Sequence, residues 1–426
     1  MLIEFGVENF GSIDSGQTLS LVASNYYKDL PENVFDPTLP GLAGLRLLRG
    51  ASLYGPNASG KSTVIKAVHM LQRLVVQSAA MKPDTPLPHN PFCLNVNRSQ
   101  DPTKFFVAFV HEDVRFEYEV DYLPERVLFE GLSAYPRGRE QVWFTRAWDS
   151  DRGEYVWLRP GGNLKASAEL VGMVRDNALF VSVGAQFNNP QLKSIYDWFA
   201  GSLKILNLGA DLDMPFDPGF SARQIEDRSS LRASLLALLR HADLGVVDAN
   251  VEPTEPPADM IEALSNLLQP EALAALQEPG VSIALEHRAG KTQVPIEWGN
   301  ESAGTRRLFA LAGPWLDILA NGHTAFVDEL DASLHPLLVS ELLRLLFSPS
   351  TNPHGAQVVF TTHNPFLLSG STLRRDQVWF TEKDAEGATH LYPLSDYKPR
   401  PKESLINGYL AGRYGAVPMI PPGLGI

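Results

Sequence analysis

Gly55-Pro56-Asn57-Ala58-Ser59-Gly60-Lys61-Ser62 is a complete phosphate-binding loop, and it obliges the chain to place a buried strand before it and a helix after it. Gly55 and Gly60 let backbone N–H groups turn inward around an anion where side chains would block them. Lys61 can reach the β- and γ-phosphates of a nucleotide, and the Ser62 hydroxyl can ligate Mg²⁺. The flanks comply. Ala51 to Tyr54 reads as a short buried strand, and beyond Thr63 the residues Val64, Ile65, Val68, Leu71 and Val75 recur at helical spacing up to Pro83. Phosphates would then lie at a helix N-terminus, where the dipole and free N–H groups favour them.

A nucleotide site needs carboxylates as well, and they come only at Thr324-Ala325-Phe326-Val327-Asp328-Glu329, an apolar strand ending in two acids. Asp328 is placed to hold Mg²⁺, and Glu329 to orient or deprotonate an attacking water. Shortly before this strand stands Glu301-Ser302-Ala303-Gly304-Thr305, opening a helical run through Leu308, Phe309, Leu311 and Trp315. Ser302 would be a good N-cap on its own account, but the position ahead of the carboxylates makes the turn a second anion-binding end. Gln357 to Thr362 is a further buried strand. His363 at its end is a candidate γ-phosphate sensor, since sites lie at strand C-termini in such sheets.

The rest of the chain sets limits. A net charge of −13 argues against a broadly basic nucleic-acid surface, leaving Arg137/Arg139, Arg374/Arg375 and Lys398/Arg400/Lys402 as local candidate contacts or, more plainly, solvated loop charges. One cysteine, Cys93, excludes an internal disulfide, and no Cys/His cluster suggests zinc. No apolar run suits a membrane span, and Met1 to Phe5 lacks a signal-peptide layout, so a cytoplasmic protein without membrane contact is expected. Ile3, Phe5 and Val7 alternate with Glu4 and Glu8, and a turn at Gly11 to Gly16 leads to Thr18–Val22, a β-hairpin. Lys104 to Trp157 reads as an antiparallel meander, and Leu179 to Val183 as another buried strand followed by a polar loop with Gln186. Leu231–Leu239 and Ile261–Leu268 are helical by spacing, with Glu252 to Pro257 as a linker; Val281–His287 and Val294–Trp298 return to strand. Asp211 and Asp213 read as a surface turn.

In these motifs the chain resembles ABC-type ATPases of the SMC/RecF/OLD branch, and most closely the abortive-infection ATPases of the AbiL and RloA type. The resemblance runs through Val7-Glu8-Asn9-Phe10-Gly11-Ser12-Ile13, the phosphate loop, Ala185-Gln186-Phe187-Asn188, Glu301 to Thr305, Asp328 to Pro336, Thr361-Thr362-His363-Asn364-Pro365 and the tail Gly408 to Ala416. It implies an α/β fold, a two-lobed ATPase head with a mixed or antiparallel β subdomain and a helical insertion. Its parts would be an N-terminal lobe over 1–200, the insertion over 201–280 and a C-terminal lobe over 281–426. It also implies ATP and Mg²⁺ as ligands, and a homodimer in which Lys61 and Ser62 share each ATP with Ser302 and Gly304 of the other subunit. Gln186 would be the Gln-loop residue near Mg²⁺ and water, and Ala332 to His335 would cross the interface. Many relatives carry Arg where Gly11 stands, which removes an electrostatic contact from the hairpin.

The region between the two halves is too short and too interrupted by Pro for a long coiled coil. The stretch after His363 is too short for the nuclease domain of OLD proteins. The leading expectation is therefore a regulatory ATPase of an anti-phage system that holds a separately encoded effector nuclease. A RecF-like repair clamp on DNA and a slow-turnover ATP-gated scaffold are the alternatives.

Overall fold

The computed structural model describes the chain except residues 38, 40–43, 159–161, 207–216, 227–229, 243, 255–279, 401–402 and 419–426. The expected helix at 261–268 and the acidic pair at 211 and 213 lie outside the described residues.

The first hairpin pairs Leu2–Glu8 (β1), buried except at Glu4 and Glu8, with Gln17–Ser20 (β2), Phe5 standing opposite Leu19. A register shift between Leu2 and Glu4, in the pairing of β1 with its other neighbour, puts Ile3 in a different cluster from Phe5 and Val7. A short ribbon, Val34–Phe35 (β3) with Leu47–Leu48 (β4), precedes Gly50–Tyr54 (β5), all five residues of which are buried. The loop then opens Lys61–Gln77 (α1). The meander follows as Thr103–His111 (β6), Val114–Leu123 (β7), Arg126–Tyr135 (β8), Gln141–Asp149 (β9) and Glu154–Leu158 (β10). β6 pairs with β1, so hairpin and meander form one antiparallel sheet of seven strands, a join that the sequence does not indicate.

Next come Ala168–Gly172 (α2), Phe180–Gln186 (α3), Pro190–Asp197 (α4) and Leu203–Leu206 (β11). The expected strand at 179–183 is thus a helix. Its Val-rich sequence favours a strand, but the buried Glu130 carboxylate accepts hydrogen bonds from the N–H groups of Phe180 (2.7 Å) and Val181 (3.2 Å), giving a helix start its anionic partner. The close approach of α3 and α4 requires Gly184, since a Cβ there would lie 2.1 Å from Leu192 Cδ1.

Gly219–Glu226 (α5) and Ser230–His241 (α6) carry a three-stranded antiparallel sheet, Val246–Thr254 (β12), Gly280–Ala289 (β13) and Thr292–Glu297 (β14). Ala303–Asn321 (α7), Thr324–Val327 (β15), Pro336–Phe347 (α8), Gln357–Thr361 (β16), Val378–Lys383 (β17), Thr389–Pro393 (β18) and Leu405–Leu410 (α9) complete the fold. Pro314 interrupts the α7 ladder, and Ser221 of α5 repairs it, donating to Phe309 O (2.6 Å) and accepting from Gly313 N (3.1 Å).

A six-stranded sheet, β11-β15-β16-β5-β17-β18, organises the rest; its pairs are parallel except β17 with β18. Period-two alternation gives it two apolar faces. Leu53, Phe326, Val359 and Trp379 join α1 and the seven-stranded sheet in one core. Tyr54, Ala325, Val327, Val358 and Phe360 join α5 to α8 in the other. Among the described residues there is no long coiled coil, and no helix is long and apolar enough to cross a membrane.

Candidate nucleotide site

The register of the six-stranded sheet assembles the site. β15, β16 and β5 run parallel, with Val327 opposite Phe360 and Thr361 opposite Leu53. Asp328, Thr362 and Gly55 therefore leave the sheet at one edge, the carboxyl end at which such sheets hold ligands.

Gly60 caps α1 at φ +108, and a Cβ there would lie 2.2 Å from Thr389 Oγ1; on Gly55 it would lie 2.4 Å from Thr381 O. The loop is thus pressed against β17 and β18 on one side and open on the other, where Asn57 and Ala58 are exposed. Hydroxyls clamp it. Ser59 Oγ lies 2.6 Å from Thr381 Oγ1, Thr389 Oγ1 donates to Ser59 O (3.0 Å), and Ser12 Oγ lies 2.8 Å from Thr389 Oγ1 and 3.0 Å from Thr63 Oγ1. Thr381 and Thr389 carry no sequence signal, each being a small polar residue far from the loop in the chain, and Ser12 has none beyond its place in the opening motif.

Lys61 is only 7 % exposed, and its Nζ donates to the carbonyls of Gly55 (2.8 Å) and Pro56 (3.0 Å). Burial pushes its pKa down, while Asp328, Glu329 and Asp331 pull it back up. His363 feels the same groups: burial lowers its pKa, Lys61 lowers it further, and Asp331, Glu329 and Asp328 oppose. Its backbone N–H donates to Asp331 Oδ2 (3.2 Å). Lys61, Asp328, Glu329 and His363 are thereby brought together, with Ser62 and Thr63 in the first turn of α1. Asp331 is an addition that the sequence leaves unassigned beyond its place in the motif.

Ser302 is the N-cap of α7, its Oγ accepting from Thr305 N (3.1 Å), with an exposed position. Cap and anion site are compatible readings of one turn. A Cβ on Gly304 would lie 3.1 Å from Ser333 O, so the turn packs on the segment after the carboxylates. Behind it, Glu301 Oε1 lies 2.6 Å from His287 Nε2 of β13, tying the three-stranded sheet to the turn.

Gln186 is not part of this gathering. It is exposed on the last turn of α3 and lines a surface depression with Val76, Ala79 and Ala80, at the C-terminal end of α1. The loop is at the other end of that helix, about 25 Å away at 1.5 Å per residue. The physical reason is the helix at 180–186: the strand that borders β15 is β11, and it is Leu206 O that accepts from Asp328 N (3.1 Å).

A family model described as "AAA domain, putative AbiEii toxin, Type IV TA system" matches residues 51–369, from the strand before the loop to beyond His363. The chain belongs to that family. No curated protein matches this AAA-domain chain. Among solved structures, one titled as the crystal structure of the SmcHead bound to the C-winged helix domain of ScpA aligns over 93 % of this chain and 99 % of that one, at 14 % identity and a TM-score of 0.38.

Proposed function

We propose that the chain binds ATP with Mg²⁺ at the Gly55–Ser62 loop and hydrolyses it as an ABC-type ATPase of the AbiL/RloA kind. The observation that carries this reading is the meeting of Lys61, Asp328, Glu329 and His363 at one sheet edge, electrostatically within reach of one another. The residues suit the ligands. Gly55 and Gly60 let the loop lie close on β17 and β18, where a Cβ would strike Thr381 or Thr389, so that its other side stays open at Asn57 and Ala58. Ser62 and Asp328 supply the hydroxyl and carboxylate that Mg²⁺ takes beside phosphate oxygens, where it would neutralise their charge.

Lys61 exchanges its loop carbonyls for phosphate oxygens. Glu329 accepts the proton of the attacking water, and His363, held neutral by burial and by Lys61, hydrogen-bonds the γ-phosphate. Ser302 and Gly304 serve the ATP of a second copy, so that ATP joins two heads and hydrolysis parts them. In the cytoplasm such a cycle would license a separately encoded effector nuclease in anti-phage defence. Two tests address this. Lys61→Ala should abolish ATP turnover, and Glu329→Gln should elute as a dimer with ATP and a monomer without it. Co-expression with the neighbouring gene should give a complex and phage protection that needs Lys61; protection that survives Lys61→Ala defeats the defence role. ATP-dependent, salt-sensitive DNA binding by the chain alone would favour a repair clamp instead.

A further inference from the structure

The backbone of Glu329 adopts φ +49, a left-handed conformation that costs a non-glycine residue energy and persists only where neighbours hold it. Two side chains do so, one at its N–H and one at its carbonyl. Thr361, the last residue of β16 and fully buried, donates from Oγ1 to Asp328 Oδ1 (2.6 Å), and the same oxygen accepts from Glu329 N (2.7 Å). Its own carbonyl accepts from Leu330 N (3.1 Å). One residue thus grips three successive positions of the acidic segment. At the carbonyl, Arg307 Nη2 donates to Glu329 O (2.8 Å), from the second turn of the helix that Ser302 caps.

We propose that Thr361 and Arg307 are positioning residues for hydrolysis, fixing the Asp328-Glu329 peptide so that one carboxylate faces the metal and the other the attacking water. This inference rests on the ATPase reading above. Thr361 orders both acids through a single oxygen: its proton goes to Asp328, leaving a lone pair for Glu329 N–H. A valine has the same shape and neither function. Arg307 adds a consequence, because the helix it rides on begins at the turn assigned to the partner's ATP. Movement of that turn therefore bears directly on the Glu329 carbonyl.

The experiment compares Thr361→Val with Thr361→Ser by steady-state kinetics, ATP affinity and thermal melting. Thr361→Val should lose about 10²-fold in kcat, the scale of a small misplacement of catalytic groups, with ATP affinity held within about threefold. Thr361→Ser should retain kcat within about threefold. In a Glu329→Gln background Thr361→Val should cost nothing further, since the residues act as a unit. Arg307→Met, at a half-buried position, should also lower kcat more than affinity, and it carries the test if Thr361→Val does not fold. Wild-type kcat in Thr361→Val or Arg307→Met, or an equal fall in Thr361→Ser, overturns the inference. A wild-type protein with no Lys61-dependent turnover overturns the ATPase reading, and this inference with it.

Discussion

Glu130 and Arg146 have no exposed side-chain surface, and Arg146 Nε lies 2.9 Å from Glu130 Oε2. Glu130 also accepts from the Tyr118 hydroxyl (2.8 Å) and from the two N–H groups at the start of α3. Arg146 Nη2 donates to Ala178 O (2.5 Å), and the guanidinium lies against the rings of Tyr155 and Trp157. Neither its Nη1 nor its Nε makes a hydrogen bond among the described residues, so the 2.9 Å approach to Glu130 is an ion pair. The carboxylate is therefore the main compensation for a wholly buried cation. Glu130→Gln preserves the shape and removes the charge, and breaking a buried pair from one side costs about 3–5 kcal/mol. Glu130→Gln combined with Arg146→Met removes both charges, and should recover all but about 1–2 kcal/mol. Urea unfolding followed by tryptophan fluorescence reads the effect on stability. The coupling in the double-mutant cycle should exceed about 2 kcal/mol. A single variant within about 1 kcal/mol of wild type, or a double variant no better than the single, would refute the reasoning.

Gly60→Ala should cost about 1–3 kcal/mol of stability through its left-handed φ and should weaken ATP binding at least tenfold as the loop leaves Thr389; titration calorimetry and melting check both. For His363 the lowered pKa keeps the ring neutral at pH 7, so turnover should persist as pH falls through the ordinary 6.5 and decline only below it. An acid limb centred above 6.5 that disappears in His363→Ala would contradict this. Asp121 is pushed up to about 6, first by burial and then by Glu119 and Glu8, with Lys104 opposing. The folded chain thus binds this proton more tightly than the unfolded one at 3.8, so the associated stability is complete below about pH 4 and lost as pH rises through 6. At pH 7 Asp121→Asn should stabilise by about 2–3 kcal/mol, a gain that vanishes by pH 4 in parallel denaturation curves.

Where local pattern and tertiary demand coincide, the sequence is sufficient. β5, α1, β15 and β16 are apolar runs of one period each, and the loop and carboxylates sit at their ends because no other placement buries those runs. The segment at 180–186 shows the limit: its β-branched residues favour a strand, and a carboxylate fifty positions earlier makes it a helix. The placement of Gln186 fails for the same reason. Arg374 reads in the sequence as a solvated loop charge or a nucleic-acid contact, yet it is 1 % exposed, with Nε and Nη2 on Asp376 (2.9 and 2.8 Å) and further bonds to the carbonyls of Tyr27 and Asp29. Asp two positions on is the available signal.

Gly11 is the instructive departure. At φ +58, with Thr63 Cγ2 2.9 Å from where its Cβ would be, the position excludes any longer side chain in this backbone. A side chain such as the arginine of many relatives would be strained by that φ and would have to displace the Thr63 methyl. Instead the hairpin reaches the loop through Ser12, whose hydroxyl touches Thr63 and Thr389 and so joins the first turn of α1 to β18. A charge would act on the phosphates themselves; a hydroxyl relay acts on the loop that holds them. The hairpin in this chain thus supports the nucleotide site mechanically, and its contribution should be indifferent to ionic strength in a way that an arginine's is not.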